Sequence, residues 1–203
     1  MPNGPEPLGA VVIAAGLSSR MGAFKPLLSL GNDTVAGHLL STLRSAGVSV
    51  IVVVTGFRAP ELEAHIRADD VVCVRNERYA ETQMFDSVRL GFTEIAGRCR
   101  RFFFTPVDIP LFTTDTLRAL LRCDAPVVYP VFGGVRGHPV LIDAALVPAI
   151  LRFGGEGGLR GALAPFGPQS AAVEVPDAGI ARDADTPEDF AALLEILEDR
   201  GGA

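Results

Sequence analysis

The sequence predicts an α/β fold built on a doubly wound, mostly parallel sheet with helices on both faces. Three observations carry that expectation. Apolar, strand-length runs alternate with amphipathic segments at short intervals. The run from Val48 to Thr55 has no polar alternation, so both of its faces must be covered, as in a parallel sheet. The chain has 203 residues, 48% of them hydrophobic, which suits one α/β domain with a sizeable core.

The elements follow in order. Residues 1–8 hold prolines and a glycine and read as a loose arm before a domain spanning 9–200. Gly9 to Ala15 is an apolar strand running into a Gly/Ser loop. Thr34 to Ala46 is helical, with Val35, Leu39, Leu40 and Leu43 on one face and Gly47 as its stop. Val48 to Thr55 is the second strand. Pro60 to Ala68 is a short helix with proline near its start. Val71 to Arg75 is the third strand, Met84 to Ala96 a helix, and Arg101 to Val107, with three consecutive phenylalanines, a buried strand. Thr114 to Arg122 is helical, with Thr113 or Thr114 as N-cap. The rhythm then changes. Ala125 to Phe132, Gly133-Gly134 and His138 to Ile142 read as a small inserted hairpin. Ala144 to Phe153 is a helix, 154–158 a glycine-rich loop, Leu159 to Ala164 a short helix and Ser170 to Val175 a late strand. Thr186 to Asp199 closes the chain as an amphipathic helix.

Composition excludes several classes. A net charge of −6 argues against nucleic acid as the main ligand, although a few local donors can still bind an anionic small molecule. No apolar run reaches the ~20 residues needed to cross a bilayer. Cys73, Cys99 and Cys123 are spaced for neither a zinc site nor a redox pair, and an odd count without a signal peptide points to a reducing cytoplasm. Lys25 is the only lysine in a chain otherwise rich in arginine. A lone lysine under such a bias suits a place where a planar fork cannot replace a compact ammonium.

Chemistry concentrates where the first strand ends. Ligands of open α/β sheets sit at the carboxyl ends of strands. There the chain presents Ala14, Ala15 and Gly16, then Leu17, Ser18, Ser19, Arg20, Met21 and Gly22, with Lys25 three residues on. Glycines let backbone N–H groups approach phosphate oxygens, Arg20 can fork onto phosphate, and Lys25 can set a point charge beside it. The spacing fits neither a Walker A loop nor a G-x-G-x-x-G dinucleotide loop.

Two acidic features follow. Asp108 lies at a strand's carboxyl edge between Pro106 and Pro110, placed to hold a metal or to cap a turn. Asp183 and Asp185 precede Thr186-Pro187-Glu188-Asp189. The last four need no function, since they make a helix start: an N-cap, a proline at the first position and acids at the positive end.

The run Val12 to Gly22, with Lys25-Pro26-Leu27-Leu28 behind it, resembles the signature of the MobA-like NTP transferases, a family that includes the molybdenum cofactor cytidylyl- and guanylyltransferases. The similarity extends over about residues 9–190, through Asp108, the Gly137-His138-Pro139 turn and the final acidic segment. It implies a Rossmann-like fold of the nucleotide-diphospho-sugar transferase type. It further implies that Arg20 and Lys25 grip an NTP triphosphate over a loop formed by Ala14, Ala15, Gly16, Ser18, Ser19 and Gly22. Asp108 and a carboxylate of the last segment, Asp185 in preference to Asp183, would bind Mg²⁺, with Mn²⁺ as a substitute. Asn76, Tyr79 and Ser87 resemble a segment near base and sugar, and His138 and Gly155 to Arg160 resemble acceptor-side segments. Here Glu156 stands where aspartate is usual, and 81–86 lacks the usual glycine. Ala14-Ala15-Gly16 resembles the cytidylyl branch, since the methyl of Ala15 narrows the base pocket toward CTP. The activity implied is transfer of CMP to a phosphorylated acceptor, molybdopterin first, with a molybdoenzyme as further partner. A guanylyl or sugar-phosphate transferase, and a non-catalytic nucleotide-binding accessory protein, stand as alternatives.

Overall fold

The computed structural model describes residues 7–201. The proposed arm therefore lies largely outside the described residues, and it ends sooner than expected, because Leu8 already pairs with Val48 and Arg101. The strands are β1 (Leu8–Ala14), β2 (Ser29–Leu30), β3 (Asp33–Thr34), β4 (Val48–Thr55), β5 (Val71–Arg75), β6 (Arg101–Pro106), β7 (Val127–Phe132), β8 (Val135–Arg136), β9 (Val140–Asp143) and β10 (Ala171–Glu174). The α-helices are α1 (Val35–Ser45), α2 (Ala59–His65), α3 (Met84–Ile95), α4 (Thr114–Leu121), α5 (Val147–Arg152), α6 (Gly158–Leu163) and α7 (Pro187–Gly201).

The main sheet has the order β10-β7-β9-β6-β1-β4-β5, with β8 paired to the end of β7. Strands β6, β1, β4 and β5 run parallel, and β10 is parallel to β7. Strand β9 runs antiparallel to both β6 and β7. The expected hairpin is thus not an appendage. Its second arm is inserted into the sheet itself, and the Gly133-Gly134 turn closes only the short β7–β8 ladder. Val140, Leu141 and Ile142 are all buried, so a central place in the sheet suits them better than a peripheral ribbon.

Side-chain alternation along the strands divides the core. Ala10, Val12, Ile51, Val53 and Phe103 face one layer, with α1, α2, α4 and α7 packed against it. Val11, Ile13, Val54, Phe102 and Phe104 face the other, under α3, α5 and α6. Phe92 of α3 meets Phe102 and Phe104 edge-on, with centroids 4.9 and 5.7 Å away. Each such ring, fully buried, contributes roughly 1.5–3 kcal/mol. These two layers are why strands without polar alternation are stable here.

Caps fall close to expectation. Thr34 accepts from Gly37 N–H and Thr113 from Thr116 N–H. Thr186 and Asp189 bond reciprocally at the start of α7. The 144–153 helix opens as a 3₁₀ turn over Ala144–Leu146. The β2–β3 ribbon and the 3₁₀ turns at Lys25–Leu27 and Ala178–Ala181 lie in stretches too short for periodicity to reveal. Among the described residues no helix is long and apolar enough to cross a membrane.

Candidate active site

The first loop leaves β1 at its carboxyl end. Gly22 has φ +66°, and Ser18 also sits in the left-handed region at +54°. Within this turn Met21 N–H donates to the Ser18 carbonyl at 3.2 Å, and Lys25 N–H to Ser18 Oγ at 3.3 Å. Phe24 is buried edge-on against Phe57, 5.8 Å between centroids, which anchors the chain just before Lys25. Lys25 is itself buried at the head of its 3₁₀ turn.

Asp108 follows β6, the strand beside β1. Its carbonyl accepts from Ala184 N–H at 2.9 Å, so the 183–185 segment is tied to it by the backbone. That one bond sets Asp183 and Asp185 on either side of a residue pinned to Asp108. Asp185 accepts from Lys25 Nζ at 2.6 Å and from the Arg20 guanidinium. The Lys25 ammonium in particular holds the Asp185 carboxyl below the ordinary range, with Arg20 adding to the effect. Burial pushes Asp108 the other way; Lys25 opposes the rise, while the charges of Asp185 and Asp183 add to it.

Four expected residues, Arg20, Lys25, Asp108 and Asp185, thus come together across the chain, with Asp183 exposed at the edge. A cavity of about 90 Å³ lies beside Lys25 and Asp108, which line it together with Ala14, Gly16 and Ser18. Ala15 is buried, and Ser19 and Gly22 are exposed along the loop. The donor set is hard oxygen in a place where carboxylates repel one another. Among the described residues no three His, Cys, Asp or Glu are grouped as a full protein cage would need. Mg²⁺ does not need such a cage, because it takes one or two carboxylates and completes its shell with phosphate oxygens and water. The residues present fit that ion.

A second, larger cavity of about 710 Å³ adjoins the first, and both are lined by Met84 and Pro106. Its walls include Phe85, Phe104 and Tyr129, together with Arg136, His138 and Arg160, and among the described residues no carboxylate lines it. Arg136 stacks over Tyr129, 4.7 Å from guanidinium carbon to ring centroid. His138 is fixed by its N–H to the Ile180 carbonyl at 2.7 Å and lies with Nδ1 3.4 Å from the Phe104 carbonyl. Gly137 must lack a side chain, since a Cβ there would stand 2.3 Å from the Ile180 oxygen. Burial lowers the affinity of the His138 imidazole for a proton, partly offset by the Phe104 carbonyl.

Asn76 and Ser87 are brought together, but with each other. Asn76 Nδ2 donates to Ser87 Oγ at 3.0 Å and to Thr82 Oγ1 at 2.9 Å, while its Oδ1 accepts from Arg78 N–H at 3.0 Å. Both are buried and line neither cavity, so they shape the 76–87 loop. Glu156 also lies outside both cavity walls. Sequence reasoning missed Phe104, Tyr129 and Met84 as site residues. The first two alternate into strands like any core aromatic, and only an apolar residue opening a helix next to a motif could have marked the third.

Asp177 escaped notice as well. It is buried, and its Oδ2 accepts from Thr113 N–H, Thr113 Oγ1 and Thr116 Oγ1 at 2.7, 3.0 and 2.6 Å. Its Oδ1 accepts from Gly179 N–H at 3.0 Å. These bonds moor the segment carrying Asp183 and Asp185 to the start of α4.

Residues 10–173 match the MobA-like NTP transferase domain. The chain is 31% identical over 193 residues to the molybdenum cofactor cytidylyltransferase of Escherichia coli, covering 93% of this chain and 96% of that one. It is similar in structure to a nucleotidyl transferase from Methanothermobacter thermautotroptrophicus, with TM-score 0.82, 25% identity and coverage of 97% and 100%. Rv0371C of Mycobacterium tuberculosis, crystallised with manganese, superposes with TM-score 0.73 at 25% identity, covering 93% of this chain and 98% of that one.

Proposed function

Since the chain belongs to the MobA-like NTP transferase family, we infer that it transfers CMP from CTP to a phosphorylated acceptor, with molybdopterin the first choice, and releases pyrophosphate. The observation that carries this reading is the convergence of Arg20, Lys25, Asp108 and Asp185 at one strand edge, beside a large cavity lined, among the described residues, by cations and aromatic rings but no acid.

In this reading Arg20 and Lys25 take the β- and γ-phosphates, and the loop from Gly16 to Gly22 wraps them with backbone N–H groups. Asp108 and Asp185 would hold a divalent cation, Mg²⁺ or Mn²⁺, which when bound draws charge from the phosphate oxygens. An acceptor phosphate oxygen attacks the α-phosphorus. A new P–O bond forms, the bond to the bridging oxygen breaks, and pyrophosphate leaves with the electron pair toward Arg20 and Lys25. No general base is needed, because the attacking phosphate is already ionised, so positioning and charge supply the catalysis.

The acceptor cavity supports a ring-bearing anion. Phe85, Phe104 and Tyr129 offer flat faces, and Arg136 and Arg160 offer positive charge. A sugar would want several carboxylate or amide partners, and among the described residues Gln83 is the only such side chain on the wall. The likeness to the Escherichia coli cytidylyltransferase points the same way for both CTP and molybdopterin. Residues 9–200 act as one transferase unit on this reading, handing their product to a molybdoenzyme in the cytoplasm.

The test is pyrophosphate release from each of the four common NTPs, with and without a phosphorylated pterin, in Mg²⁺. Release that requires both CTP and the pterin is expected. Release with GTP instead, or with a sugar phosphate instead of the pterin, would reassign the substrate. No release with any pair would leave a nucleotide-binding accessory protein.

A further inference from the structure

Met84 opens α3 and is 59% exposed, the most exposed large apolar side chain among the described residues. The core does not account for it. Its backbone is fixed, because Gln83 N–H donates to Asp86 Oδ2 at 2.9 Å across the first turn of the helix. It borders both cavities, a position shared, among the described residues, only with Pro106 of β6. On one side lie Lys25 and Asp108; on the other, His138 and Arg160. An unbranched thioether with a fixed root and a free tip is a shape-adapting wall.

A wall is needed at that point. The larger cavity, about 710 Å³, has room for many waters when no acceptor fills it, since each takes about 30 Å³ in the liquid. Water reaching a bound CTP could replace the acceptor. Its oxygen would bond to the α-phosphorus, the bond to the bridging oxygen would break, pyrophosphate would leave with the electron pair, and the proton would pass to solvent. The nucleotide would be lost as CMP. Sites that handle reactive phosphate guard against this by excluding water. The geometry points to Met84 as a specificity-determining residue that screens the nucleotide phosphates from water in the acceptor cavity until an acceptor displaces that water. This rests on the proposed function, because it requires the CTP phosphates beside Lys25 and Asp108 at the smaller cavity.

The experiment uses the full chain with CTP and Mg²⁺ and no acceptor. CMP formation is followed by chromatography, and CTP affinity is measured by calorimetry under the same conditions. Met84→Ala is expected to form CMP roughly ten-fold faster than the parent when both are saturated with CTP, as the measured affinities allow. Met84→Leu, of similar volume, is expected to return to the parent rate. Unchanged CMP formation in Met84→Ala, with CTP still bound, overturns the inference alone. A parent chain that binds no NTP overturns the proposed function and the inference with it. A second readout needs no variant: dilute peroxide should oxidise Met84 more slowly when CTP is bound, as read by peptide mass spectrometry. An equal rate of oxidation with and without bound CTP counts against the screen.

Discussion

Lys25 Nζ donates to Asp185 Oδ1 at 2.6 Å, joining residues 160 positions apart, and Arg20 takes the other oxygen of the same carboxylate. The two cations proposed for the triphosphate are thus already engaged, by a residue proposed for the metal. Binding of CTP would then be an exchange, with phosphate oxygens replacing a carboxylate on Lys25 and Arg20. Asp185→Asn is expected to bind CTP more tightly than the parent in the presence of a chelator, while losing turnover in Mg²⁺. Asp183→Asn removes the same charge nearby but no ion pair, and should change chelated binding much less. Calorimetry on the two variants decides it; equal gains would reduce the effect to bulk charge.

Asp108 is enclosed more deeply than Asp185, and its backbone carbonyl ties down Ala184. Asp108→Asn keeps the shape and the backbone bond. Chelated CTP binding should persist in that variant. Turnover in Mg²⁺ should fall by about a hundred-fold or more, as when a group aimed at developing charge is removed. Steady-state pyrophosphate release measures both parent and variant, and full activity in the variant would remove Asp108 from cation binding.

His138 gives a pH-dependent test. Burial holds its imidazole below the ordinary value of about 6.5. As pH falls through about 6.5, the unfolded chain takes up a proton that the folded chain does not, so this residue lowers stability until its own folded value is reached. His138→Gln should flatten that part of a stability–pH curve measured by urea unfolding. Proton NMR of the imidazole should show titration below about 6.5; titration above it would contradict the buried setting.

Asp177 tests the mooring of the acidic segment. Its carboxylate accepts four bonds from Thr113, Thr116 and Gly179. Asp177→Ala removes the carboxylate that accepts from Thr113 N–H, both threonine hydroxyls and Gly179 N–H, and should cost about 2–4 kcal/mol in denaturant unfolding. Asp177→Asn keeps one acceptor oxygen and should cost less. A loss within ~0.5 kcal/mol for Asp177→Ala would show that the mooring lies elsewhere.

How far the sequence discloses this molecule depends on the reach of its signals. Val48 to Thr55 and the three phenylalanines at 102–104 state their burial on both faces directly, and the strands fall where they indicate. The Gly/Ser loop with Arg20 and Lys25 is likewise readable, because one short stretch holds glycine, hydroxyls and two cations. The place of β9 between β6 and β7 is not readable, since strand order depends on pairings far apart in the chain. For the same reason the grip of Lys25 on Asp185 stays hidden until the fold closes. Asp177 looks like any loop acid in sequence; only burial against Thr113 and Thr116 shows its work. Asn76 and Ser87 resemble ligand-binding positions, yet their polar atoms are occupied by each other and by the loop between them.

On the proposed function, one site grips a triphosphate with Arg20 and Lys25 while carboxylates across from them hold a divalent cation. A crystal structure with Mn²⁺ and a non-hydrolysable CTP analogue, using anomalous scattering to locate the metal, addresses it most directly. The triphosphate is expected against Arg20 and Lys25, with a manganese peak bonded to Asp108 and Asp185. Nucleotide bound away from the first loop, or manganese with no oxygen of either aspartate in its shell, would contradict it.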